Sequence, residues 1–109
     1  MITFDDWAKI EIKIGTILAA ERVPETDKLW RLTVELGEAT PRTIVSGIAP
    51  NYPEATMLVG KQCPFITNLE PRMIKGIESN GMILAPSDIE GRGVIMNPER
   101  PVESGAKVK

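Results

Sequence analysis

Nine glycines and nine prolines are spread along this 109-residue chain, and they leave no long uninterrupted stretch. Proline removes a backbone donor and fixes φ, while glycine releases the chain into turns, so both end regular elements. Punctuation at this density cuts the sequence into short pieces, as an all-β domain requires. The pieces alternate at period two. Ile10, Ile12 and Ile14 alternate with Lys9, Glu11 and Lys13, and Trp30, Leu32, Val34 and Leu36 alternate with Leu29, Arg31, Thr33 and Glu35. Such alternation marks half-buried strands. Gly15 interrupts the first run, which predicts a bulge or bend of the kind a small barrel uses to turn a corner.

The remaining elements follow in order. Thr3 and Asp6 predict a capped helical turn over Phe4–Ala8. The first strand continues to Ala20, Val23–Asp27 turns, and the Trp30 run forms the second strand. Gly37–Pro41 turns again and Arg42–Ile48 forms the third strand. A short helix is expected over Pro53–Leu58, with proline at its first position. Lys61–Thr67 is the fourth strand, and Pro64 predicts that it is an edge strand or carries a bulge. Gly81–Ala85 is the fifth, and Gly93–Met96 and Ala106–Val108 are weaker late strands. This order suits a five-stranded OB-fold barrel with a short helix between strands 3 and 4. An SH3-like barrel fits the same order, but the bent first strand and the helix position favour the OB arrangement. Residues 1–109 form a single domain on this reading.

The counts exclude several chemistries. There is no histidine and a single cysteine, Cys63. A histidine-based triad, an imidazole base and a cysteine- or histidine-liganded metal site therefore have no parts. No phosphate-binding glycine motif occurs. The expectation is a non-enzyme with no metal and no cofactor. No run of 18 apolar residues exists, the acidic N-terminus lacks a basic leader, and no internal disulfide is available, which together predict a cytoplasmic protein with no membrane partner. The net charge of −2 leaves no overall basic footprint.

One segment departs from that balance. Over residues 61–75, Lys61, Arg72 and Lys75 face a single acid, Glu70, a local excess of two positive charges that leaves −4 on the rest of the chain. A basic loop on an acidic body could select an anion, though a solvated loop with ordinary charges reads the same way. Within it Arg72 offers a flat fork of donors to a phosphate, or a surface ion pair to Glu70 or Glu78. Asn68 could meet a base or ribose edge, or close a turn. Lys28 and Ser79 divide similarly between contact and surface. Met82 is either core or a flexible apolar contact. The five aromatics are Phe4, Trp7, Trp30, Tyr52 and Phe65. With Trp30 and Phe65 destined for the core, Tyr52 and at most one other remain to stack on bases. That is poor equipment for a single-strand binder and better suited to folded RNA.

The run from Asn68 to Ala85 resembles the signature of the tRNA-binding domain family. Ile12-Lys13-Ile14-Gly15, Asp27-Lys28-Leu29, Arg42-Thr43-Ile44-Val45-Ser46-Gly47-Ile48-Ala49, Leu58-Val59-Gly60-Lys61 and Gly105-Ala106-Lys107-Val108 agree with it in order and spacing. The resemblance implies an OB-fold with a C-terminal extension. It implies a homodimer joined through segments near both termini, and recognition of the outer corner of tRNA by shape. Family members occur as stand-alone tRNA-binding proteins or with methionyl-tRNA synthetase, and CsaA-type export chaperones are more distant members. Carried over by motif position, the implied tRNA contacts are Lys28, Asn68, Arg72, Ser79 and Met82. Lys75 keeps a charge two positions after Met73, where many relatives are basic. Asn80 and Pro86 also depart from the usual pattern. Phe4, Trp7, Val102 and Val108 are apolar positions outside the barrel strands, and a two-fold interface would cover them. The rival reading is a chaperone binding unfolded polypeptide in an exposed apolar groove.

Overall fold

A computed structural model describes residues 1–109. The helical turn α1 (Phe4–Ala8) is followed by strands β1 (Ile12–Arg22), β2 (Trp30–Glu35), β3 (Arg42–Ser46) and β4 (Gln62–Ile66). Then come β5 (Arg72–Ile74), β6 (Ile77–Ser79) and β7 (Met82–Ile83). Five strands form one sheet in the order β3-β2-β1-β4-β7, all pairs antiparallel, and β5–β6 is a separate hairpin. The Asn80 N–H bonds the Thr43 carbonyl at 2.8 Å, bringing the connection before β7 back onto β3. The sheet is thereby a nearly closed, OB-like five-stranded barrel.

Strand β1 explains how it closes. Ile12–Thr16 pairs with β4 and Thr16–Arg22 pairs with β2, so the strand changes partner midway. The bulge lies at Leu18, between Ile17 and Ala19, not at Gly15. Gly15 has a different duty: a Cβ there would collide with the side chains of Val34, Leu36 and Phe65. Its bare backbone lets the core press against the bend. The free flank of the first half of β1 is taken by the C-terminal extension. Ile14 and Gly105–Ala106 exchange bonds of 2.8 and 2.7 Å, and the Val108 N–H reaches the Ile12 carbonyl at 2.8 Å.

Pro64 stands in an interior strand, contrary to the edge or bulge expected of it. It faces Ile14, whose backbone groups turn away toward the extension, so no donor is missed. The short helix expected over Pro53–Leu58 is a single 3₁₀ turn, Ala55–Met57, and a second 3₁₀ turn, Ala49–Asn51, precedes it. The late strands reduce to single bridges, Lys13–Lys107 and Ser87–Gly93.

The alternation in β2 works as read: Trp30, Leu32 and Val34 are buried, and with Leu36, Ile17, Ile44, Leu58, Phe65 and Ile83 they make the core. Trp30 donates its indole N–H to the Tyr52 carbonyl at 2.7 Å, and the Arg22 guanidinium lies 4.5 Å from its ring centroid. Tyr52 packs against the core and its hydroxyl accepts from the Ile95 N–H at 2.8 Å, so it is not the free stacking platform the aromatic count left open. Cys63 is fully buried, and burial pushes its thiol up to about 11. No helix is long and apolar enough to cross a membrane.

Candidate nucleic-acid interface

The segment between β4 and β7 is a hairpin, not a plain loop. Arg72 pairs with Ser79, Met73 with Glu78 and Ile74 with Ile77. The two turn residues, Lys75 and Gly76, have φ of 51° and 79°. A two-residue hairpin loop whose twist matches its strands needs both positions left-handed. Gly76 meets that need freely, and Lys75 meets it at the strain a β-carbon brings.

Alternation along the hairpin gives it two faces. Arg72, Ile74 and Ser79 turn toward the barrel and, with Val45, Leu69, Glu70, Gly81 and Met82, line a small cleft. Met73 stands on the opposite face, 67% exposed. Ser79 is buried at the inner end. Its hydroxyl accepts from the Val45 N–H at 2.9 Å and donates to the Gly81 carbonyl at 3.3 Å, standing in for a backbone pair at the open flank of β3.

The six residues singled out from sequence divide by what their polar atoms do. Arg72 and Lys75 are exposed, and neither meets a carboxylate; the ion pair to Glu70 or Glu78 does not form. Lys28, at the end of the β1–β2 loop, is exposed and unpaired as well. Met82 opens β7 opposite Ile66, 43% exposed, and shares the cleft with Arg72 and Ser79. Asn68 lies at the foot of the hairpin with its amide engaged. Its oxygen accepts from the Glu11 N–H at 2.9 Å and its nitrogen donates to the Lys9 carbonyl at 2.7 Å. Cleft, tip and loop therefore present Arg72, Met82, Lys75 and Lys28 to solvent, while Asn68 and Ser79 fasten backbone.

Arg31 is a cation that motif matching passed over. Parity puts it outside β2, opposite Val45 of β3, the residue that floors the cleft. It is exposed and unpaired. The alternation that buries Trp30 and Leu32 was the signal that could have found it. By contrast Lys9, Lys13, Arg42, Arg92 and Arg100 each lie within 4 Å of an acid. The cations of the hairpin and the adjoining β2 face are thus among the free ones, at surfaces able to receive an anionic backbone.

The fold and this geometry match known proteins. The family model described as "Putative tRNA binding domain" matches residues 12–107. A methionine–tRNA ligase of Porphyromonas gingivalis is 50% identical over 109 residues, covering 99% of this chain and 16% of that protein. The chain thus spans about a sixth of the curated relatives it matches. Among solved structures, a MetRS-related protein from Pyrococcus horikoshii superposes with a TM-score of 0.91 at 34% identity, over 100% of this chain and 98% of that one. The chaperone CsaA from Bacillus anthracis superposes with a TM-score of 0.89 at 26% identity, over 100% and 99%. Barrel, hairpin and sequence agree, and the chain belongs to the tRNA-binding domain family.

Proposed function

We propose that this domain binds the outer corner of folded tRNA by shape and charge, with no chemistry of its own. It would act alone or as the tRNA-holding part of a methionyl-tRNA synthetase assembly in the cytoplasm. The observation that carries the reading is the β5–β6 hairpin, which holds Arg72 on its first strand and Lys75 on a preset turn, both unpaired, in a chain of net charge −2. Arg72 supplies a bidentate phosphate donor, Lys75 and Lys28 supply point charges, and Met82 supplies apolar contact with a sugar or base. Ser79 serves by tying the hairpin to β3, and Asn68 by tying the hairpin's foot to the segment before β1. With few aromatics exposed, recognition rests on phosphate and 2′-hydroxyl contacts, as suits a folded RNA. A domain of this kind helps a synthetase by raising the effective concentration of its tRNA.

We also propose that the domain is a homodimer. Helix α1 has no buried residue, although a five-residue helix is far too short to persist on its own. Its Phe4 and Trp7, with Ala8, Ile10 and Val108, form an apolar groove rimmed by Lys107 and Lys109. A second copy would cover that groove. Val102 does not line the groove; its backbone is bonded at both ends to Gln62 and its side chain stays exposed. The CsaA-like fold supports a second reading, in which the groove holds unfolded polypeptide instead. Binding assays with folded tRNA, with the same tRNA heat-unfolded, and with a reduced unfolded client separate the two. Preference for folded tRNA supports the first reading; client binding without tRNA affinity supports the second.

A further inference from the structure

The hairpin leaves the barrel after β4 and returns before β7, and one side chain touches both of its feet. Arg42, at the start of β3, donates from Nη1 to the Thr67 carbonyl at 2.6 Å and to the Asn80 carbonyl at 3.4 Å. Thr67 directly precedes the excursion and Asn80 directly follows β6. The other side of the guanidinium is held by Glu38, across the β2–β3 turn. Nε and Nη2 donate to its two carboxylate oxygens at 2.8 and 2.7 Å, a bidentate fork. The chain Glu38–Arg42–Thr67/Asn80 therefore fixes the spacing of the feet. Planarity is what permits it, since a single ammonium cannot span a carboxylate and two carbonyls at once.

We propose that Arg42, held in place by Glu38, is a positioning residue for tRNA binding: it sets the hairpin's pose on the barrel without itself touching RNA. The inference rests on the hairpin being the tRNA-contact element. Arg42 has its donors turned to protein acceptors and is three-quarters shielded from solvent, so it is no phosphate ligand. A contact element held in one pose loses less freedom on binding, and affinity rises accordingly.

The sign of one substitution separates this idea from simple electrostatics. Glu38→Gln removes a negative charge and takes the chain from −2 to −1, which by charge alone strengthens binding to an anion. Positioning gives the opposite sign, because the fork is weakened. We expect Glu38→Gln to weaken the affinity for folded tRNA by about two- to fivefold and Arg42→Lys by about fivefold or more. The salt dependence should keep its slope, because no phosphate contact is lost. Amide exchange should quicken over residues 72–80 while β1 and β2 stay protected, and affinities are compared at a temperature where circular dichroism shows every variant folded. Arg72→Ala runs beside them as the contact control. If Arg72→Ala weakens binding and lowers the slope while Glu38→Gln binds as tightly as wild type or tighter, the positioning role is wrong and the contact site stands. Arg42→Lys that binds as tightly as wild type, with residues 72–80 exchanging no faster, would also overturn the proposal. If Arg72→Ala changes neither affinity nor slope, it is the reading of the hairpin as the RNA site that fails.

Discussion

Lys75 shows how far a single residue was readable. Its charge and its place in a basic run were plain from sequence, but its backbone was not. Lys-Gly is a weaker hairpin signal than Asn-Gly or Asp-Gly, so the two isoleucines flanking it did not announce a turn. The structure puts Lys75 at φ 51°, a conformation Asn adopts more easily. Lys75→Asn should therefore steady the hairpin by roughly 0.5–1 kcal/mol, seen as slower amide exchange over residues 72–79, while tRNA affinity falls. A salt slope unchanged from wild type would remove Lys75 from the interface. Met82 is half-exposed at the first position of β7, so Met82→Ala should leave the thermal midpoint within a few degrees of wild type and weaken tRNA binding. A stability loss of roughly 2–5 kcal/mol would instead mark it as core. Asn68 and Ser79 were legible as polar residues at motif positions. Their bonds to Lys9, Glu11 and Val45 join segments 34 to 59 residues apart, which no local pattern can show.

At the scale of elements, period-two alternation placed β1 and β2, and proline and glycine marked their ends. Thr3 and Asp6 placed α1 through a capping box that forms as expected. What failed was pairing. Pro64 looked like an edge residue because the C-terminal extension that takes up the backbone of Ile14 lies some ninety residues downstream of it. Gly15 was read as a bulge or bend; the bulge falls three residues later, at Leu18, and what requires glycine at 15 is the close approach of the Val34, Leu36 and Phe65 side chains. The elements also carry a pH dependence. The Arg42 guanidinium, hydrogen-bonded to Glu38, holds that carboxyl below its usual value of 4.5. The Thr67 hydroxyl does the same for Glu11, and the Asn51 amide with the Arg92 N–H for Asp88. Depressed carboxyls contribute stability that is present above their unfolded pKa and is lost as pH falls through the folded one. The thermal midpoint should therefore hold above about pH 4.5 and drop below it, and Glu38→Gln should flatten part of that drop. A midpoint equally pH-dependent in Glu38→Gln and wild type would show that the fork contributes nothing to folding.

For the whole molecule, an OB-like barrel was legible because its strand order and punctuation are local, and family membership was legible because the motifs run from β1 to the extension. The assembly is another matter, since Phe4, Trp7 and Val108 become one groove only after the two ends of the chain meet. A dimer of about 24 kDa, twice the 12.0 kDa chain, is expected by light scattering at micromolar concentration. Phe4→Ser with Trp7→Ser should yield monomer, and a monomeric wild type would leave the groove to another occupant.

On the function proposed for it, the domain sets an unpaired hairpin cation of an otherwise acidic barrel against the phosphates of folded tRNA. Equilibrium binding of one folded tRNA to wild type and Arg72→Ala, measured across a salt series, decides whether it does. The expected log–log slope for wild type is about −2 to −5 per dimer, at roughly 0.7–0.9 counterion released per contact. Arg72→Ala should bind about tenfold or more weakly, with a shallower slope and an unchanged thermal midpoint. Wild type and Arg72→Ala binding alike at every salt concentration, or no binding by wild type at low salt, would mean that the hairpin does not hold tRNA.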